Sequence, residues 1–394
     1  MKKKTRKENL IILIAIVGSI LLLIVGNRIA MGKTSFFDEK SNLITAEATV
    51  VKVLKNDSEN DIVTFTCKIT EGKNIGKVVT AGQMLDPNMG SQVRIVEKGD
   101  KIFLGDATSY DIGTKWFMYD FNRLAELKWL AAAFAVLLLI FGRSKGFRTI
   151  ISLVLTCSTI FFVFIPAVLS GFNIYVCSIA TCLFITFMAL LIVQGPNTKS
   201  LAAALGCCGG LFVVSTLTIM MSEILRLSGL IDEDSLYLLY LDAKDPIHLK
   251  AIIFAAITIG AMGAILDIAV DIAASLREVH EHAHKKSIHQ TIKSGITIGQ
   301  DIVGSMSNTL ILAYIGSSLS VILLLLIHSG SLQDLMNSEL IVVEILQALA
   351  GSIGILFTIP LTSISCGFLY NNSKAVKETL PSEIGEESLS KPRG

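Results

Sequence analysis

The chain has 394 residues, of which 52% are hydrophobic and 17% charged, with net charge +1 and mean hydropathy +0.63. A water-soluble domain carries ~25% charged residues, so a wholly soluble fold is excluded. Near-neutrality removes the basic field that nucleic acid would need, and no nucleic-acid partner is expected. The seven cysteines follow neither a disulfide framework nor a zinc spacing.

The N-terminus, MKKKTRKE followed by NLIILIAIVGSILLLIVG, reads as an uncleaved transmembrane anchor, residues 1–29. Its apolar stretch is longer than that of a signal peptide, and NRIAMGK offers a poor cleavage site. Residues 30–123 alternate like strands. Ile44 to Lys55, Ile62 to Ile69, Lys77 to Ala81 and Lys101 to Leu104 are rich in β-branched residues, with turn signals between them. About five short strands in such a length suggest a small open barrel of OB type. Phe65 and Phe103 fall among the expected core positions, so stacking on nucleic bases is set aside.

From 124 onward the chain is a seven-helix membrane domain ending at 372, followed by a cytoplasmic tail, 373–394, read as disordered. With the anchor, eight apolar spans are expected: 9–26, 127–142, 149–169, 174–194, 201–222, 250–276, 302–327 and 340–369. The positive-inside rule supports this count. Segments 1–8, 143–148, 195–200, 277–301 and 370–394 all carry Lys or Arg. The short intervening loops are neutral or acidic, apart from Arg226 and Lys244 in 223–249. Both termini are therefore placed in the cytoplasm and the β domain outside, in a multi-pass protein of the cell membrane.

Two carboxylates break the sixth span. Asp267 and Asp271, four residues apart, share a helix face. Asp267 lies ~9 residues, or ~14 Å, from the cytoplasmic end, near the middle of a ~30 Å core. Asp301, Ser305 and Asn308 repeat the one-face spacing at the start of the next span. Carboxylates in hydrocarbon are rarely idle, so these five residues are the candidate ion- or substrate-binding set. Two bland readings stay open: structural carboxylates bonded to neighbouring helices, or a span that ends before them. Glu344, Gln347 and Pro360 in the last span are secondary. His280 and His284 have metal-ligand spacing, while a solvated loop is the plainer account of them. The motifs of ATPases, metalloproteases and serine hydrolases are missing, so neither enzyme activity nor a cofactor is expected.

The stretches GAILDIAVDIAASLREVHE (263–281) and SGITIGQDIVGSMSNTLILAYIGSSL (294–319) resemble those of the YibE/F-like bacterial membrane proteins. The likeness runs from about Trp129 to Tyr370 and is carried by Gly263–Asp267, Asp301–Leu310 and Gly316–Ser318. Gln300 stands where the family pattern has arginine, and the histidine-rich loop is peculiar to this chain. The resemblance implies a polytopic bacterial membrane protein with an extracytoplasmic segment after its first helix; it implies no reaction. The first expectation is a secondary transporter or permease component with a proton or cation site. The rival is a membrane scaffold whose outer β domain binds an envelope partner. A homo-oligomer or a paralogous membrane subunit is the expected protein partner, besides the lipid bilayer.

Overall fold

The computed structural model describes residues 6–31, 44–57, 62–72, 74–85, 94–106, 114–231, 233–239, 247–282 and 287–378. It divides into two compact units, residues 35–143 and residues 1–34 with 144–394.

The first unit holds a closed five-stranded barrel in the order β1-β2-β3-β5-β4. The strands are β1 (Ile44–Asp57), β2 (Ile62–Gly72), β3 (Val78–Met84), β4 (Lys101–Asp106) and β5 (Trp116–Phe121). Alternation does what it predicted: Val63, Phe65, Cys67 and Ile69 of β2 point inward and are fully buried with Val50, Ile102 and Leu104. The parallel pairing of β3 with β5, Ala81 to Trp116 and Gly82 to Phe117, closes the barrel. Inside, the Gln83 amide donates to Arg94 O (2.8 Å) and accepts from Val96 N–H (3.0 Å), so its burial is satisfied. The expected turn before β4 forms with Gly99 at φ 98° and the Asp100 carboxylate accepting the Glu97 N–H at 2.9 Å. Of the strands, β5 was not foreseen individually.

The helices are, in order, α1 (Arg6–Met31), α2 (Leu124–Thr159), a π-helical turn (Ile160–Phe164), α3 (Ile165–Leu169), α4 (Ile174–Ala189) and a second π turn (Leu190–Gln194). Then come α5 (Thr198–Ile224), α6 (Glu233–Leu239), α7 (Leu249–His282), α8 (Ile288–Ser317), α9 (Leu319–His328), α10 (Leu332–Asn337) and α11 (Glu339–Glu378). Their starts are written locally. Asn173 and Asn197 accept backbone N–H bonds from Val176 and Ser200, and Ser287 with Gln290 forms a reciprocal capping box. Gly195, at φ 82°, turns the chain between the second π turn and α5.

Among the described residues, six helices are long and apolar enough to cross a bilayer, and the bent pair α8–α9 raises this to seven. The family of apolar helices thus has the expected character, but three details differ from the sequence reading. The segments expected as spans 127–142 and 149–169 are two helices that meet at a kink rather than across a loop, inside one apolar stretch of 46 residues, Leu124–Leu169. No glycine–proline turn separates its two halves; the backbone leaves helical geometry only at Arg143 (φ 49°, ψ −126°). Of the expected cytoplasmic loop 277–301, residues 277–282 are instead the end of α7 and residues 288–301 the first half of α8. Finally, the seventh span is not straight. α8 and α9 meet at 61° at Ser318. Gly316 weakens the helix there, while the Ser317 hydroxyl and the Ser318 N–H both bond back to Tyr314 O. Pro360 lies inside α11, which continues through it to Glu378; the rest of the expected tail, 379–394, lies outside the described residues.

The helical core is built on α7 and α11. Ile257, Ile265, Ile268, Ile272 and Leu276 of α7 are fully buried. α11 lies against α5, α7 and α8 through small residues on its neighbours or itself. A side chain at Gly206 or Gly210 of α5 would strike Thr362 or Thr358, and one at Gly295 or Gly299 of α8 would strike Ser363 or Ile359.

Candidate functional site

α7 carries its apolar residues on one face because its buried positions recur at helical spacing. Asp267 and Asp271 lie on the opposite face: Asp267 is two residues, ~200° of rotation, past buried Ile265. Both aspartates are exposed at the surface of the chain and within electrostatic reach of each other. Gly260 lies seven residues before Asp267, so the two share a face to within ~20°. Gly260, Gly263, Asp267 and Asp271 therefore form one stripe, and Gly263 leaves open space beside it.

Other helices meet this stripe at both ends. Lys199, at the start of α5, lies within electrostatic reach of Asp271 and donates to Gln194 Oε1 at 3.0 Å. Next along α5, Cys207 packs against the α7 backbone, its thiol 3.9 Å from Ile265 O, and lies within reach of Asp267. At the far end, the missing side chain of Gly260 leaves room for the Tyr314 hydroxyl of α8 and the Gln347 amide of α11. Tyr314 and Gln347 are hydrogen-bonded, with Glu344 close by, and all three are half-buried. Sequence reasoning missed Lys199 and Tyr314 altogether and gave Glu344 and Gln347 only secondary standing. A basic residue directly after a turn and a tyrosine in an apolar helix were the available signals. Only tertiary packing shows that they meet α7.

Asp301, Ser305 and Asn308 do stand together on one exposed face of α8, as their spacing required. They do not join the aspartates of α7. Among the described residues, no hydrogen bond or ion pair links the two groups. α8 faces its neighbours through Gly295, Gly299, Leu310 and Tyr314. Asp301 is ~200° around the helix from Gly299. The candidate set is thus two patches, one along α7 and one on the far side of α8.

Among the described residues no group of three or more His, Cys, Asp and Glu side chains could hold a metal ion. The His280 ring packs near the Tyr370 ring, with centroids 5.8 Å apart, and His282 Nδ1 lies 3.0 Å from Glu278 O. His284 lies outside the described residues.

Comparison with known proteins adds one finding. The family model described as YibE/F-like protein matches residues 130–372, which holds all of α3 to α10 and both patches. No curated protein and no solved structure matches the chain.

Proposed function

Because the chain belongs to the YibE/F-like protein family, we propose that it is a polytopic membrane protein that passes a proton or small cation along the exposed stripe of α7. Family membership and the apolar helices both suggest a membrane protein. At 1.5 Å per residue the 46-residue stretch Leu124–Leu169 is ~69 Å long, over twice a hydrocarbon core. We count it as two crossings that meet near Arg143, which gives eight, with both termini inside and the barrel outside. The carrying observation is the stripe itself. Two carboxylates in the otherwise apolar stretch 251–276 of α7 face away from the packed core, with Lys199 at one end and Tyr314, Gln347 and Glu344 at the other. A carboxylate at that depth needs water, a proton or a cation. Two neighbouring carboxylates repel unless one of these neutralises them. Lys199 can hold Asp271 when the path is empty. No enzymatic step is part of this reading.

Proteoliposomes loaded with a pH-sensitive dye test the proposal under imposed proton and potassium gradients. Asp267→Asn and Asp271→Asn are expected to abolish flux while protein abundance stays near that of the parent. If the parent carries neither ion, or if flux falls only in step with abundance, the aspartates are structural.

A second reading draws on α8. Asp301, Ser305 and Asn308 form an exposed polar face with no partner helix among the described residues, which suits a second copy or a paralogous membrane subunit. In that scaffold reading, Asp301→Asn and Asn308→Ala weaken co-purification of the partner and leave the α7 variants silent.

A further inference from the structure

β5 is the most aromatic strand of the barrel, WFMYDF, and it is the strand from which the chain passes into the apolar helix α2. Trp116 and Met118 pack against the barrel core. Phe117 points the other way, between Gly82 of β3 and Gly105 of β4, its partners in register. The register then slips: Leu104 pairs with Met118 but Phe103 with Asp120, so Tyr119 is the extra residue of a bulge. A bulge re-aims a side chain, and Tyr119 stands out from the barrel, 48% exposed, edge-on to Phe117 at 6.5 Å. Phe121, past the bulge, turns back to the core, and Arg94 and Arg123 lie over its ring at 5.3 and 5.7 Å. Both guanidinium side chains are about two-thirds exposed (68% and 65%). Asp100 and Asp120 each take one of their hydrogen bonds and leave other donors open to solvent.

The distance from this face to the helix is fixed. Asn122 donates to Glu47 Oε2 of β1 at 3.0 Å and accepts the Leu124 N–H at 3.1 Å, so one side chain ties the barrel to the first residue of α2. Trp129, 79% exposed, follows one turn later. Aromatic residues with a polar end collect at the headgroup level of a bilayer, and arginine is well matched to phosphate.

We infer that Phe117 and Tyr119 on the outer face of β5, together with Arg94 and Arg123 around Phe121 at the end of the strand that leads into α2, form a docking surface for the phospholipid headgroup layer, which seats the barrel on the membrane. This inference rests on the membrane reading above. The occupant is lipid because the face is continuous with a helix of membrane-spanning character and combines an exposed tyrosine, backed by half-buried Phe117, with phosphate-binding groups.

The two tryptophans of the chain provide the test. The full-length protein is placed in phosphatidylcholine–phosphatidylglycerol vesicles as Trp129→Phe, which reports on Trp116, and as Trp116→Phe, which reports on Trp129. Phospholipids spin-labelled on the headgroup or at mid-chain serve as quenchers. Trp116 is expected to be quenched about twofold more by the headgroup label than by the mid-chain label. Adding Tyr119→Ser should remove most of that difference. Phe117→Leu, which keeps the glycines covered, should remove less, and together the two variants separate docking from loss of the fold. Quenching of Trp129 with no effect of Tyr119→Ser on Trp116 overturns the docking surface and leaves the membrane reading standing; a barrel that binds a glycan or a protein instead gives this result. If neither label quenches Trp129, the membrane reading falls and the docking surface with it.

Discussion

At the scale of single residues, the tightest constraints fall on glycines whose missing side chains are occupied by hydroxyl-bearing residues of α11. A methyl group on Gly206 would lie 2.8 Å from Thr362 Cβ and 3.0 Å from its Cα, too close for any rotamer change to relieve. Gly206→Ala is therefore expected to cost about 1–3 kcal/mol, as overpacked cores do, and to lower the melting temperature of the detergent-solubilised protein. Gly304 has nothing within 4 Å, so Gly304→Ala should be neutral or slightly stabilising by helix propensity. Equal melting temperatures for the two variants would show that α5 and α11 are not in close contact. Cys67 supports a different forecast. It is fully buried in the barrel, its thiol donates weakly to Val79 O at 3.7 Å, and burial pushes its pKa up to about 11 from 9.0. Folding thus favours the protonated thiol. Stability should be flat below pH 9 and fall as pH rises toward 11, because the unfolded chain releases that proton first. Cys67→Ala should flatten this alkaline limb in a pH series of thermal melts of the barrel transition. Neither constraint was legible in the sequence. A glycine reads the same whether its neighbour is 2.8 Å away or absent, and only alternation hinted that Cys67 faced inward.

At the scale of elements, strands and helices were read well where a period repeated, and poorly where a boundary depended on partners. β1, β2 and β4 followed from alternating β-branched residues. β5 escaped because its bulge puts two successive exposed residues, Tyr119 and Asp120, into a strand of six. The bend at Ser318 escaped because Gly316 and two serines lower helix propensity without forbidding a helix. Long-range ties were invisible for a plainer reason: they join residues far apart in the chain. Glu339, the first residue of α11, shows this best. Its carboxylate accepts the N–H groups of Ser228 and Gly229 at 2.7 and 2.6 Å and the Ser228 hydroxyl at 2.7 Å, 111 positions away in sequence. Gly229 sits at φ 90° where a side chain would strike Leu249 and the Lys250 backbone, so the turn after α5 is held on both sides. Glu339→Ala should speed amide hydrogen exchange at Ser228 and Gly229 by about tenfold, the effect of one net charge-assisted bond. Glu339→Gln, which keeps an acceptor oxygen, should fall between. Unchanged exchange in Glu339→Ala would mean that packing on Leu249 alone fixes the turn.

At the scale of the whole molecule, composition foretold an apolar helical assembly, and family membership agrees with it. Charge placement along the chain adds a sidedness that labelling can check. A cysteine at Asn56 is expected to react with an impermeant maleimide in intact cells, whereas one at Ser287 should react only after permeabilisation. Labelling of Ser287 in intact cells would overturn the eight-span arrangement. What the sequence could not convey is which helix holds the others together. α5, α7 and α8 all lie against α11, the last described helix to leave the ribosome. Until it arrives, the glycines of α5 and α8 lack the α11 side chains Thr358, Thr362, Ile359 and Ser363 that close over them, and α7 packs on α4, α5 and α8 alone. On the proposed membrane reading, the earlier helices pass through an interval of synthesis in which their seam with α11 is still open. Ribosome stalling ahead of Glu339 should thus be more damaging to yield than any single loss of contact after the chain is released.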